Sequence, residues 1–189
     1  VAVVVRRRRS AEAPHLMRSL FVTGGSGFVG RHLLARVGMG RLARVVALSR
    51  TPQPPTAGVT WVQGDVQDSA RYSEYLNAET DIAHLAAATG GASAAVHRAV
   101  NAEGTEALVK VAERAKVGGL LFVSSIATRF PDDPHYPYAT AKREAEVIVR
   151  AGSVPFVIVR PTIVLGRGSP ILDKLRALAG GPVIAAIGG

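Results

Sequence analysis

The amino-acid sequence predicts an α/β fold, a doubly wound parallel sheet of about six strands. Two observations predict it. Six runs of about 5–6 residues are apolar along most of their length, as strands covered on both faces are. Between them lie longer stretches with apolar residues at helical spacing, and such alternation folds as parallel strands joined by right-handed crossovers.

The first run, Ser19–Thr23, leads straight into a glycine-rich turn and the helical pattern Phe28–Val37. Arg44–Ser49 is the second, closed by the turn-forming Pro52-Gln53-Pro54-Pro55. Val59–Gln63 precedes a predicted helix over Ser69–Asn77, and Asp81–Leu85 precedes a long one over Ala92–Lys116 that stops at Gly118-Gly119. Gly119–Ser124 is the fifth run. Pro131, Asp132, Asp133, Pro134 and Pro137 punctuate the loop after it, before a helix over Tyr138–Ala151 and the last strand, Pro155–Arg160. Ile171–Ala179 reads as a final apolar helix with little to cover it, which points to exposed hydrophobic surface, a homodimer or a truncated fragment.

Composition narrows the function classes. With 189 residues and 48% apolar content the chain can bury an ordinary core, which rules out disorder and small disulfide scaffolds. No apolar run approaches the roughly 18 residues of a membrane span. Cysteine is absent, which removes thiolate chemistry and thiolate metal sites and fits a cytoplasmic protein. His15, His32, His84, His97 and His135 show no paired metal-ligand spacing, so no metal is expected. The charge of +9 would suit nucleic acid if it lay on a folded face. Arg6, Arg7, Arg8 and Arg9, however, sit in one block before Met17, so residues 1–16 are expected to be a disordered basic leader and nucleic acid is not the expected partner.

The segment Thr23-Gly24-Gly25-Ser26-Gly27-Phe28-Val29-Gly30 ends the first strand and opens a helix. Glycines at this spacing allow a tight turn and a close backbone approach, and the helix start turns free N–H groups toward a pyrophosphate. This is the phosphate loop of an NAD(P)-binding Rossmann fold. An acidic residue usually follows about 20 positions later to hold the adenosine ribose. Here Leu48-Ser49-Arg50 stands in that place. A carboxylate repels a 2′-phosphate, whereas Ser49 can donate to one and Arg50 can pair with it, so NADP is expected over NAD.

Tyr138 and Lys142, four apart, put a phenol and an ammonium on one helix face. Together with the glycine loop and Ser124-Ser125 at the end of the fifth strand, they complete a pattern. From Met17 to about Ser169 the sequence resembles the extended short-chain dehydrogenase/reductase family, the group of NAD-dependent epimerases, dehydratases and 3β-hydroxysteroid dehydrogenases. The further matching residues are Gly64-Asp65, His84-Leu85-Ala86-Ala87, Val100-Asn101 with Gly104-Thr105, Phe122 to Ile126, and Arg160-Pro161 through Gly166. The resemblance implies hydride transfer between a nicotinamide and a small carbonyl or hydroxyl substrate. It makes Tyr138 the general acid/base, Lys142 the holder of the nicotinamide ribose and Ser125 the catalytic hydroxyl, with Ser124 on the cofactor side. Asp65 and Val66 would meet the adenine, Ala86, Ala87 and Ala88 would leave room for the cofactor, Asn101 belongs to the same set, and Pro161 and Thr162 would border the nicotinamide. A phenol of ordinary pKa near 10 is a poor base at neutral pH, and a nearby ammonium would favour phenolate.

Two departures qualify that function. Only residues 126–137 separate Ser125 from Tyr138, a spacing closer to an atypical branch that includes non-catalytic NAD(P)H-binding modules and accessory subunits. Family members also run to about 300 residues, so the chain divides into a leader (1–16), a dinucleotide-binding domain (17–170) and the start of a substrate region (171–189). Among the other residues, His84 reads as a strand-end neighbour of the cofactor, Trp61 as core, Tyr72 and Tyr75 as ordinary helix-face residues, and Asp132-Asp133 as a solvated turn.

Overall fold

The computed structural model describes residues 2–6, 18–37 and 42–179. Its sheet contains β1 (Ala2–Arg6), β2 (Ser19–Thr23), β3 (Arg44–Ser49), β4 (Val59–Gln63), β5 (Thr80–His84), β6 (Gly119–Val123) and β7 (Phe156–Arg160). The spatial order is β1-β7-β6-β5-β2-β3-β4, and all neighbours run parallel except β1 and β7. The six predicted strands all form, each within one residue of its expected bounds.

The helices are α1 (Phe28–Leu34), α2 (Ala94–His97), α3 (Gly104–Arg114), α4 (Pro137–Ala151) and α5 (Pro170–Ala179). Alternation along the strands serves two faces. Phe21, Ile82, Leu120, Phe122 and Ile158 point into the larger core with Leu108 and Ala112 of α3 and Ala145 and Val149 of α4. Val22, Val45, Ala47 and Ala83 point to the opposite face and pack with Leu34 of α1. Partly buried Trp61 packs against this smaller cluster. Chain order runs outward from β2 in both directions, through β3 on one side and β5 on the other. Their C-terminal ends therefore flank the switch point where open parallel sheets place ligands.

Three elements differ from expectation. Ala2–Arg6, expected to be disordered, is an edge strand whose Val3 and Val5 pair with Val159 and Val157. A β-branched run beside the otherwise open edge of β7 supplies the missing hydrogen-bond partners, and Val4 packs against the core while Val3 and Val5 face out. Residues 7–17, which hold the rest of the arginine block, lie outside the described residues. The helix expected over Ser69–Asn77 is two 3₁₀ turns, Ser69–Arg71 and Ser73–Tyr75, interrupted at Tyr72. Tyr72 is fully buried rather than on a helix face, its ring against Phe21 and its hydroxyl donating to the Val66 carbonyl at 2.7 Å. Finally, the long helix is divided. Ser93 caps α2, and a π-helical stretch, Arg98–Glu103, joins α2 to α3.

Candidate active site

Glycine is obligatory at two points of the turn after β2. Gly24 has φ +68°, and a Cβ there would lie 2.7 Å from the Ala86 amide nitrogen. A Cβ on Gly30 would lie 2.3 Å from the Gly24 carbonyl oxygen. Turn, α1 and the chain leaving β5 thus approach backbone to backbone. Gly25 sits buried against Ala47, Gly27 opens α1 without a side-chain cap, Phe28 packs edge-on to His32, and Val29 is exposed.

The crevice over this turn gathers Gly24, Ser26, Gly27, Ser49, Arg50, Asp65, Val66, Ala86 and Ala87 of the expected cofactor set. Leu48, Gly64, Leu85 and Val100 also line it. All four lie in the motifs that carry the family resemblance or in the strand end after the glycine turn, next to expected residues. The Asp65 carboxylate accepts from the Gln67 amide at 3.0 Å, which shapes the turn after β4. Arg50 is exposed at the rim. Ser49 is buried, and its hydroxyl contacts Ser26 Oγ at 3.0 Å and the Thr51 carbonyl at 2.8 Å while accepting from Gln53. Its one hydrogen is therefore used within the protein rather than held out toward the crevice.

Asn101 and Ser124 of the expected set are both engaged in hydrogen bonds within the protein. Asn101 is buried in the π-helical stretch, accepting from the Ala88 amide at 2.8 Å and donating to the Ala88 carbonyl at 3.0 Å. The Ser124 hydroxyl donates to Glu146 at 2.6 Å. Glu146 also receives two bonds from Arg160, at 2.7 and 2.6 Å, one from Arg150 and one from Thr128. Burial pushes this carboxyl up, but Arg160, Ser124 and Arg150 outweigh it and hold the pKa at about 2. The cluster welds α4 to the ends of β6 and β7. Its sequence signal was the spacing of Glu146 one turn beyond Lys142.

Ser125, Tyr138 and Lys142 come together at these same strand ends. Ser125 caps the 3₁₀ turn Ile126–Arg129 by accepting from the Ala127 amide, and Ile126 donates to the Pro161 carbonyl at 2.9 Å, so half-buried Pro161 and exposed Thr162 leave β7 beside it. Pro137 starts α4 and places Tyr138 in its first turn. Burial raises the Tyr138 phenol above its ordinary value, and a hydrogen bond with Ser125 opposes the rise. The expected lowering by a nearby ammonium is thus not the net effect here. Lys142 is 1% exposed, donates to the Val123 carbonyl at 2.8 Å and lies 4.4 Å from the centre of the Phe122 ring. Desolvation pulls this amine down to about 7, against the field of Glu146. His97 packs edge-on to Tyr138 with ring centres 5.6 Å apart. Among the described residues no helix is long and apolar enough to cross a membrane.

A glycine-cradled crevice at the switch point, with a Ser–Tyr–Lys group beyond it, defines a dinucleotide-binding α/β protein. Residues 20–179 match the model of the NAD dependent epimerase/dehydratase family, and the chain belongs to that family. It is 29% identical to a ceramide reductase of Caulobacter vibrioides over 167 residues, covering 86% of this chain and 52% of that protein. It is likewise 29% identical to a UDP-glucose 4-epimerase of Vibrio cholerae over 174 residues, with coverages of 80% and 53%. Among solved structures, a short-chain dehydrogenase/reductase superfamily protein of Agrobacterium tumefaciens with bound NAD is similar, with a TM-score of 0.64 at 29% identity over 76% of this chain and 48% of that one. The Bordetella bronchiseptica enzyme WbmH in complex with NAD+ shares the fold, with a TM-score of 0.73 at 20% identity over 87% and 63% of the two chains. The chain spans about half the length of the relatives it matches.

Proposed function

We propose that this chain is the cofactor-binding and catalytic half of a nicotinamide-dependent oxidoreductase or epimerase acting on a small carbonyl or hydroxyl substrate. The observation that supports the reading is that Ser125, Tyr138 and Lys142 lie at the C-terminal ends of the strands, as the glycine crevice does. The crevice fits a dinucleotide: Gly24 and Gly30 permit the tight turn and the close seating of α1, and exposed Gly27 at the start of α1 leaves its backbone open to a pyrophosphate.

When bound, the nicotinamide supplies the hydride donor or acceptor. Tyr138 exchanges the proton of the reacting oxygen. Its high phenol pKa suits it to donate that proton during carbonyl reduction, and Ser125 orients the same oxygen. Lys142, one helical turn beyond Tyr138, would hold the ribose hydroxyls of a bound cofactor from its place at the Val123 carbonyl. Tyr138→Phe is expected to abolish turnover, more than 100-fold, with dinucleotide affinity within about threefold. Equal turnover in that variant would mean a nucleotide-binding module without chemistry at Tyr138.

NADP is the preferred cofactor in this proposal. No carboxylate ends β3, and the exposed Arg50 lines the crevice where a 2′-phosphate would lie. In calorimetric titrations Arg50→Ala should lose about tenfold in NADP affinity and nothing in NAD affinity. An unchanged ratio of the two would remove the role given to Arg50.

A further inference from the structure

Thr23, His84 and Thr105 form a buried row that the Ser125–Tyr138–Lys142 group does not use. His84 Nδ1 lies 2.6 Å from Thr23 Oγ1, and His84 Nε2 lies 2.9 Å from Thr105 Oγ1. The direction of each bond follows from one end. The Asn101 carbonyl oxygen carries no hydrogen, so its 2.6 Å contact takes the single hydroxyl hydrogen of Thr105. Thr105 Oγ1 must then accept from His84, and the proton is on Nε2. Burial keeps the imidazole neutral, with the charge of Lys142 acting in the same sense, so Nδ1 is an acceptor and receives the Thr23 hydrogen. The lone pairs of Thr23 are left facing the amides of Leu85 and Ala86, at 3.2 and 3.1 Å. At the other end of the row the side chain of Asn101 closes on both backbone groups of Ala88.

We infer that His84 is a positioning residue for the crevice: as a neutral Nε2–H imidazole it orients Thr23 and, with Asn101 at the far end, fixes the backbone of residues 85–88 as the wall. The nature of the ligand rests on the dinucleotide reading; the order of the hydrogen bonds does not. Leu85, Ala86 and Ala87 line the crevice directly, and Gly24 leaves no slack against Ala86, so a wall released by a few tenths of an ångström intrudes on the turn. The opposite tautomer puts two hydrogens into the 2.6 Å contact between His84 and Thr23. Thr23 has no second place for its own, because the Leu85 and Ala86 hydrogens already occupy its other side.

Long-range proton–nitrogen spectra of the full chain, labelled with nitrogen-15, read the tautomer without any variant. The Nε2–H pattern is expected at neutral pH, and an Nδ1–H or imidazolium pattern overturns the inference. Substitution then splits the row. His84→Asn keeps an acceptor near the position of Nδ1, whereas His84→Gln reaches Thr105 and leaves Thr23 without one. ADP-ribose affinity should stay within about threefold in His84→Asn and fall about tenfold in His84→Gln and Thr23→Val, with faster exchange of the Ala86 and Ala88 amides in the same two variants. Unchanged affinity and unchanged exchange in His84→Gln and Thr23→Val overturn the role. If the unaltered protein binds no ADP-ribose, the dinucleotide reading fails, while the tautomer and the amide exchange still decide the row.

Discussion

Lys142 shows how a buried charged residue can oppose the stability of its own fold. Its folded pKa of about 7 lies below the ordinary 10.5, so at neutral pH the native state holds a charge in a site that resists it. The unfolded chain keeps its proton up to about 10.5 while the folded chain releases it near 7, so the stability contributed by this group rises with pH across that window. Lys142→Met removes the penalty but leaves the Val123 carbonyl without its donor, for a net gain on the order of 2 kcal/mol at pH 7. Thermal melts should show a higher Tm for the variant at pH 7, and the linkage removes about 3 kcal/mol of the difference by pH 9.5, so the advantage is lost or reversed there. A lower Tm at both would sink this account. The residues proposed to meet a ligand were legible in the sequence because a phosphate turn needs glycine and a proton transfer needs a phenol. The roles of Tyr72, Asn101 and Ser124 were not, because they depend on Val66, Ala88 and Glu146, partners that only the folded chain brings within hydrogen-bond distance.

At the level of elements, the parallel strands were legible since burial on both faces leaves a continuous apolar run, for which few other structures have a use. Helical periodicity carried less information. It reads the same through a π-helical stretch as through an α-helix, so the local unwinding at Arg98–Glu103 that seats Asn101 left no mark, and over Ser69–Asn77 it did not separate a helix from two 3₁₀ turns around a buried tyrosine. The valines of β1 run directly into an arginine block whose charge favours disorder, so the edge strand left no clear mark in the sequence. The glycine turn is the element where motif and geometry agree most closely, and it makes the sharpest prediction. Gly24→Ala forces a side chain into a left-handed conformation and against the Ala86 amide, for a combined cost of about 3 kcal/mol. At roughly 2–4 °C per kcal/mol the melting temperature should fall by about 6–12 °C, with dinucleotide affinity lost in the folded fraction. A variant that melts and binds like the parent would show that the turn tolerates a side chain.

Across the whole molecule, neighbouring strands of the one sheet are tied together in different electrical settings. Glu146 ties α4 to β6 and β7 with charge, and His84 ties β5 to β2 at the centre of the sheet without it. Both arrangements fail in acid, for opposite chemical reasons. The Glu146 pKa of about 2 lies below its ordinary 4.5, so its contribution is present above about 4.5 and is lost as pH falls toward 2. Burial lowers His84 from 6.5 to about 3, with Lys142 adding to the effect, so below about 6.5 the unfolded chain binds a proton that the folded chain refuses. Stability therefore declines first through His84, by about 2 kcal/mol between pH 7 and 5, before Glu146 begins to titrate. Urea unfolding at pH 7, 6 and 5 measures this slope directly. In His84→Asn, which keeps a polar partner for Thr23 and has no proton to take up, the decline over that interval should be smaller by the same amount. If parent and variant lose stability in parallel between pH 7 and 5, His84 is not the group that makes this sheet sensitive to mild acid, and the neutral row it anchors is not what holds residues 85–88 in place.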